Sequence, residues 1–313
     1  MKLLVFLMVA AINVQAYAQY DGAYLDPLYK NMVHPKVVKN NNKGLESSDT
    51  LSVVEKMTPV RSQQSRGTCS IFSAIAMLEG MLVINGKMDT DVDLSEEYLE
   101  YTVVRNKTSD GSNSWSNFNA LRRYGVPTEA TLPYEGQNWE SSPFLPMAKQ
   151  RCGHLEGNSQ KSCLIVHRDP ALLGMTDEQI LDEDKPFYDP EFVAARAEAT
   201  QFKNEYIKYS STSYSLWSTA QVKQLLQKGI PVTLGIEFFY GAWNHRKADE
   251  FGIGRSAENW AKGIVGHPEP GSVDLEKSKE NPAGHSVLVV GYDDTKIVET
   301  TVKMKDGTTK TFT

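Results

Sequence analysis

Cys69 follows a small-residue loop, Ser65-Arg66-Gly67-Thr68, and heads a strongly apolar stretch. Ile71, Phe72, Ile75, Ala76, Leu78, Leu82 and Val83 crowd nearly every face of a helix over 69–84, which predicts a helix buried on most sides. A cysteine in the first turn of such a helix meets free N–H groups and the positive end of the helix dipole. Both favour thiolate, the nucleophilic form. Acyl transfer through a thiolate also needs a base and a donor for the oxyanion. Gln63 offers a side-chain amide on the loop leading to Cys69, and the N–H of Cys69 itself is a second donor. His285 stands just ahead of the apolar run 287–290, where a strand would hold it rigidly against a helix N-terminus.

The elements that must position these groups are legible in outline. Asn85-Gly86 stops the first helix. Ser95 caps a second helix with Glu96 and Glu97 in its first turn. A third spans 116–124 and ends at Gly125, a fourth spans 191–209, and a fifth spans 220–228 before Gly229. The rest of 140–215 mixes Pro, Asp and Ser and carries no further helical pattern. Strands are expected over 231–236 and 286–292. A hairpin is expected around Asp306-Gly307, with arms over 298–304 and 308–312. Helices come first and strands later, so the fold class is α+β.

The 313-residue chain has a globular composition, and its net charge of −6 argues against a strongly basic nucleic-acid binder. Met1-Lys2, the apolar run 3–14 and Ala16-Tyr17-Ala18 read as a secretory signal peptide over 1–18, implying a secreted or periplasmic protein in an oxidising compartment. Residues 19–50 are polar and read as an extension or a short pro-segment. No later run is long enough to span a membrane.

Cys152 and Cys163 have two readings. With His154 and His167 they could supply four zinc ligands, or they could close a small disulfide loop. The oxidising compartment favours the disulfide, which leaves Cys69 as the odd thiol. The other histidines, His34, His245 and His267, have no clear partner in sequence, although Trp243-Asn244-His245-Arg246 could border a cleft. No nucleotide-binding loop or EF-hand pattern is present.

The segment Gln63-Gln64-Ser65-Arg66-Gly67-Thr68-Cys69-Ser70-Ile71-Phe72-Ser73 resembles the Q-G-x-C-G-x-C-W-A-F-S motif of the papain-like cysteine peptidase family. The resemblance continues through Leu94-Ser95-Glu96-Glu97, Tyr124-Gly125-Val126 and Pro133-Tyr134-Glu135-Gly136, then resumes at Pro231-Val232 and at His285 with Gly291-Tyr292. It covers about 58–140 and 218–295. It implies a papain-like two-lobed fold over 51–313, a helical lobe with an antiparallel barrel-like lobe incomplete at its C-terminal end. It further implies peptide hydrolysis without a cofactor or metal by a monomer acting on a peptide or protein substrate, secreted or, in a eukaryote, in a lysosome-like compartment. Cys69 is then nucleophile, His285 general base and acid, and Gln63 oxyanion donor. Gly111 falls where a family glycine binds the substrate backbone, and Ser112 replaces the second glycine of that pair.

Departures from the family pattern carry their own expectations. Four family cysteines that form two bridges align with Arg66, Thr102, Ser109 and Ser141, so that Arg66 would face Ser109 and Thr102 would face Ser141. Both partners of each bridge are gone together. Cys69 and His285 are 216 positions apart, against roughly 130–150 from the nucleophile to the later site residues in the family. Insertions at about 140–215 and 240–282 account for the excess. No Asn follows His285 to orient its ring as a third member of the site would. The alternative function is therefore a catalytically deficient papain-like module that binds peptides.

Overall fold

The computed structural model describes residues 53–207 and 216–312. The expected signal peptide, the 19–50 extension and the end of the helix expected to reach 209 lie outside the described residues.

Helix α1 (Cys69–Ile84) is enclosed as its composition demands, with Ile71, Ala74 and Ile75 fully buried. Helix α2 (Glu96–Val104) starts at Ser95, whose hydroxyl accepts the Tyr98 N–H at 3.0 Å. Helix α3 (Ser114–Tyr124) starts two residues earlier than 116 because the Asn113 side chain caps it, accepting the Ser116 N–H at 2.9 Å. Gly125 ends it with φ 75°, a conformation that favours glycine. Ile71 and Ile75 share one core with Leu99, Leu121 and Phe202.

The segment from 140 onward is far more helical than its sequence suggests. It holds α4 (Pro146–Cys152), α5 (Gly157–Val166), α6 (Asp177–Ile180) and α7 (Pro190–Tyr206). Only α7 was expected. Short helices carry little periodic signal and need tertiary packing to persist. Here α4 and α5 are tied by a Cys152–Cys163 disulfide, Cα–Cα 5.6 Å, around Trp139 and Ala148. Phe192, Ala195 and Ala199 of α7 pack with Tyr98 and Tyr101 of α2, which joins this segment to the earlier helices.

The later half holds α8 (Thr219–Gln227), β1 (Val232–Glu237), α9 (Lys247–Glu250), α10 (Ala257–Ala261), α11 (Val273–Glu280), β2 (Gly284–Val289), β3 (Thr300–Lys303) and β4 (Thr309–Phe312). Strands β1 and β2 pair antiparallel, with Ile236 opposite His285 and Val232 opposite Val289. The pairing explains why β2 stops at 289 rather than 292: β1 offers no partner beyond Val232. Strands β3 and β4 form the expected hairpin, with Gly307 at φ 82°. The architecture is α+β. Among the described residues the strands make two separate two-stranded ribbons and no closed barrel, so the expected barrel-like lobe is represented only by these ribbons.

Candidate active site

A cavity of about 240 Å³ brings together Gln63, Cys69 and His285. Its remaining wall includes Phe238, Tyr240, His245 and Lys247. Helix α1 meets β2 directly: the Ser73 and Ser286 hydroxyls are 2.8 Å apart, which fixes the residue after His285 one helical turn below Cys69.

Cys69 is half-buried at the head of α1. Thr68, the residue before it, makes no side-chain cap, so the first N–H groups of the helix face the thiol. Burial pushes the Cys69 thiol up, while the N–H groups of Ser286, Ser70 and Cys69 pull the other way. His285 is pushed down to about 4, by burial first and by His245 second. Both directions favour a neutral thiol facing a neutral imidazole. The His285 ring is held between aromatic edges, with the Phe238 centroid at 5.7 Å and that of Trp243 at 5.0 Å. Among the described residues, none makes a hydrogen bond to the His285 ring.

The loop before Cys69 is clamped from two sides. Gln63 is buried and spends one amide hydrogen on the Arg66 carbonyl at 2.6 Å, leaving its second for the cavity. The Tyr134 hydroxyl donates to the Gln63 carbonyl at 2.9 Å and lies 2.7 Å from the Thr68 hydroxyl. Gly111 and Ser112 do not line the cavity. Gly111 has φ 111°, and the Ser112 hydroxyl is 2.6 Å from that of Ser70, so Ser112 touches the residue next to Cys69.

Arg66 lies under this loop with a side chain that exposes 0%. It does not face Ser109 as the family pairing implied. It turns to the neighbouring Asp110 at 3.1 Å, and also to Glu97 at 3.2 Å and Glu100 at 3.3 Å. Asp110 returns its second oxygen to the Gly67 N–H at 3.2 Å. His167 completes the network: its Nδ1 is 2.7 Å from Glu97 and its Nε2 is 3.0 Å from the Gln137 carbonyl. Burial opposes ionisation of Glu97, but His167, with Arg66 and Arg168, holds it down at about 2. Burial drives Glu100 the other way, well above the usual carboxylate range, so Glu97 and Asp110 carry the negative charge that Arg66 and His167 meet.

The expected Thr102–Ser141 pairing is also absent: the Thr102 hydroxyl donates to the Leu99 carbonyl at 2.8 Å. Cys152 and Cys163 are both buried and disulfide-bonded. His154 pairs with Asp169 at 2.8 Å, and among the described residues no group of three or more potential ligands is arranged for a metal. Sequence reasoning overlooked Arg66 as a structural centre and Tyr134 as a clamp. A charged residue in place of a cysteine beside an apolar helix was the one signal available for Arg66.

A family profile described as papain family cysteine protease matches residues 46–243, more than half of the chain, with Gln63 and Cys69 inside it and His285 beyond it. Cysteine proteinase 1 of Entamoeba histolytica is 32% identical over 117 residues, which is 35% of this chain and 32% of that protein. Papain of Carica papaya is 35% identical over 81 residues, 26% of this chain and 23% of papain. Cathepsin K of Gallus gallus is 35% identical over 95 residues, 30% of this chain and 27% of the relative. The matches therefore span a third or less of these relatives. The matched profile, read together with the cavity in which Gln63, Cys69 and His285 meet, makes this chain a member of the papain family of cysteine proteases.

Proposed function

We propose that the chain is a secreted cysteine peptidase, with Cys69 as nucleophile, His285 as general base and acid, and Gln63 with the Cys69 N–H as oxyanion donors. One observation carries the reading: three groups of the required types, from segments far apart in sequence, line one cavity. The neutral state of the pair is compatible with it. A neutral His285 can accept the thiol proton as Sγ attacks the peptide carbonyl carbon. The tetrahedral oxyanion then faces the Gln63 amide and the helix N–H groups. Collapse expels the amine, which takes the proton from the His285 imidazolium and leaves an acyl-enzyme. Water, deprotonated by His285, attacks the thioester and releases the acid. Gly111 and Ser112 lie outside the cavity lining, Ser112 beside Ser70; only the family resemblance assigns them to the substrate backbone.

The second reading is a peptide-binding module of low activity. It is favoured by the His285 ring, which is held by aromatic edges and by no hydrogen bond among the described residues. Hydrolysis of a mixed-sequence quenched-peptide library by the wild-type chain, lost in Cys69→Ala, supports the peptidase. Binding of the same peptides without hydrolysis would replace it by the module.

A further inference from the structure

Cys69 and His285 are each followed by a serine, and those two serines meet on a third. Ser73 lies one turn further along α1. Its hydroxyl donates to the Ser70 carbonyl at 3.1 Å and is 2.8 Å from the Ser286 hydroxyl. Ser73 has one proton and gives it to Ser70, so Ser286 donates to Ser73. Ser70, Ser73 and Ser286 are all buried, where water cannot replace a lost partner. The two sides of this bridge are not equally secured. Asn117, fully buried on α3, also holds the Ser70 carbonyl, at 2.7 Å from Nδ2. The Ser112 hydroxyl stands 2.6 Å from that of Ser70. The head of α1 is therefore fixed without Ser73. Strand β2 has less: its ladder partner is β1 alone. Among the described residues, Ser73–Ser286 is the one side-chain hydrogen bond that joins β2 to α1.

We propose that Ser286 is a positioning residue for the reaction: its hydroxyl locks β2 on α1 through Ser73 and so sets the distance between the Cys69 sulfur and the His285 imidazole. The effect on turnover rests on the peptidase reading; the effect on the thiol does not. The hydroxyl touches no reacting atom and acts through the strand that carries His285. That strand matters more here than it would beside a ring with its own hydrogen bond. The His285 ring meets only the edges of Phe238 and Trp243, so its place over Cys69 is set by the backbone beneath it. The same backbone brings the Ser286 N–H to Cys69, where it draws the thiol down against the effect of burial. Without the bridge, β2 remains paired with β1 along one edge and is free to tilt from the head of α1. Proton transfer between thiol and imidazole needs hydrogen-bond reach, and a misplacement of about 1 Å can cost ~10²-fold in rate.

The test compares four forms of the full chain: wild type, Ser73→Ala, Ser286→Ala and the double variant. The double variant leaves neither hydroxyl of the bridge unpaired, so it folds even where a single variant is weakened. Two readouts are taken: iodoacetamide alkylation of Cys69 against pH, followed by intact mass, and steady-state hydrolysis of a quenched peptide. In each variant the alkylation midpoint should rise by about half a pH unit or more, because the Ser286 N–H no longer reaches the thiol. The kcat should fall about tenfold or more with little change in KM. The double variant should lose no more than either single one, since all three break the same bridge. A wild-type midpoint and kcat in Ser286→Ala, a loss carried by KM alone, or losses that add in the double variant overturn the proposal. Shifted midpoints in a chain that hydrolyses no peptide keep the positioning role of Ser286 and remove the peptidase. Hydrolysis with unchanged variants does the reverse.

Discussion

The Arg66 guanidinium and the Asp110 carboxylate meet at 3.1 Å beneath the loop that delivers Cys69. The other oxygen of Asp110 holds the Gly67 N–H, so one carboxylate joins the buried charge to the backbone two residues before Cys69. An ionic cross-link thus stands one residue away from where the family pairing would have set a disulfide.

Removing Arg66 should be severe. Arg66→Met leaves Glu97, Glu100 and Asp110 without their shared cation, and breaking a buried pair of this kind costs about 3–5 kcal/mol. Urea unfolding should show that loss, and proteolysis should open first around 63–69. The triple variant Arg66→Met/Glu97→Gln/Asp110→Asn should recover part of the stability, because it removes the abandoned charges. A single variant that unfolds at the wild-type midpoint would show the network to be dispensable.

Glu97 should shape the acid side of the stability curve, and Glu129 should contribute to the decline on the neutral side together with the buried Glu96 and Glu100. Glu97 is held at about 2 when folded, below its ordinary 4.5. Its contribution is complete above 4.5 and is lost as pH falls towards 2. Glu129 is raised to about 7, by burial first and then by Asp93 and Glu97 against the pull of Tyr134 N–H and Arg61. The folded state then holds a proton that the unfolded state has released, so stability declines from pH 4.5 to 7. Glu129→Gln should make that decline shallower, and Glu97→Gln should flatten the slope below 4.5. Urea midpoints measured from pH 2 to 8 check both signs.

Alkylation of Cys69 reads the state of the pair. With the thiol pushed up and His285 down to about 4, the rate at pH 5 should be low. It should climb only above about 8.5, the ordinary thiol value. Intact mass after timed iodoacetamide exposure gives the profile. Rapid alkylation near pH 5 would mean that a thiolate–imidazolium pair forms in spite of burial.

What could be read beforehand follows the range of the forces involved. The buried face of α1, the Ser95 cap and the Asp306-Gly307 hairpin rest on neighbours within a turn or two, and local pattern reveals them. The pairing of Cys69 with His285 required the resemblance, since nothing local says that position 285 meets position 69. Arg66 gathers groups from 97, 100, 110, 135 and 165, and no window of sequence contains them. Helices α4 and α5 were hidden for the same reason, being held by a covalent link and by Trp139 rather than by an amphipathic stripe.

That link should be worth measuring by itself. A disulfide closing a loop of this size contributes about 3 kcal/mol in the chain-entropy account. The Trp139 ring lies 4.5 Å from that of His167, and Trp139 shares a core with both cysteines. Cys152→Ala/Cys163→Ala should therefore lower the thermal midpoint and shift Trp139 emission together. A lower midpoint with unchanged emission would confine the loss to the unfolded chain.

Tyr134 offers the sharpest separation of clamp from scaffold. Its hydroxyl has one proton, which goes to the Gln63 carbonyl, so the Thr68 hydroxyl must donate to it in turn. Tyr134→Phe keeps the ring, and with it the edge contact to Phe72 at 4.9 Å, but strands both loop groups. Stability should fall by about 1–3 kcal/mol. On the proposed peptidase reading Gln63 acts on the oxyanion and so in the transition state, hence a loosened Gln63 should lower kcat roughly tenfold with little change in KM. Equal losses in Tyr134→Phe and in Gln63→Ala/Tyr134→Phe relative to Gln63→Ala would mean that the hydroxyl acts on stability alone. A loss seen only when Gln63 is present would establish that Tyr134 works by aiming that amide.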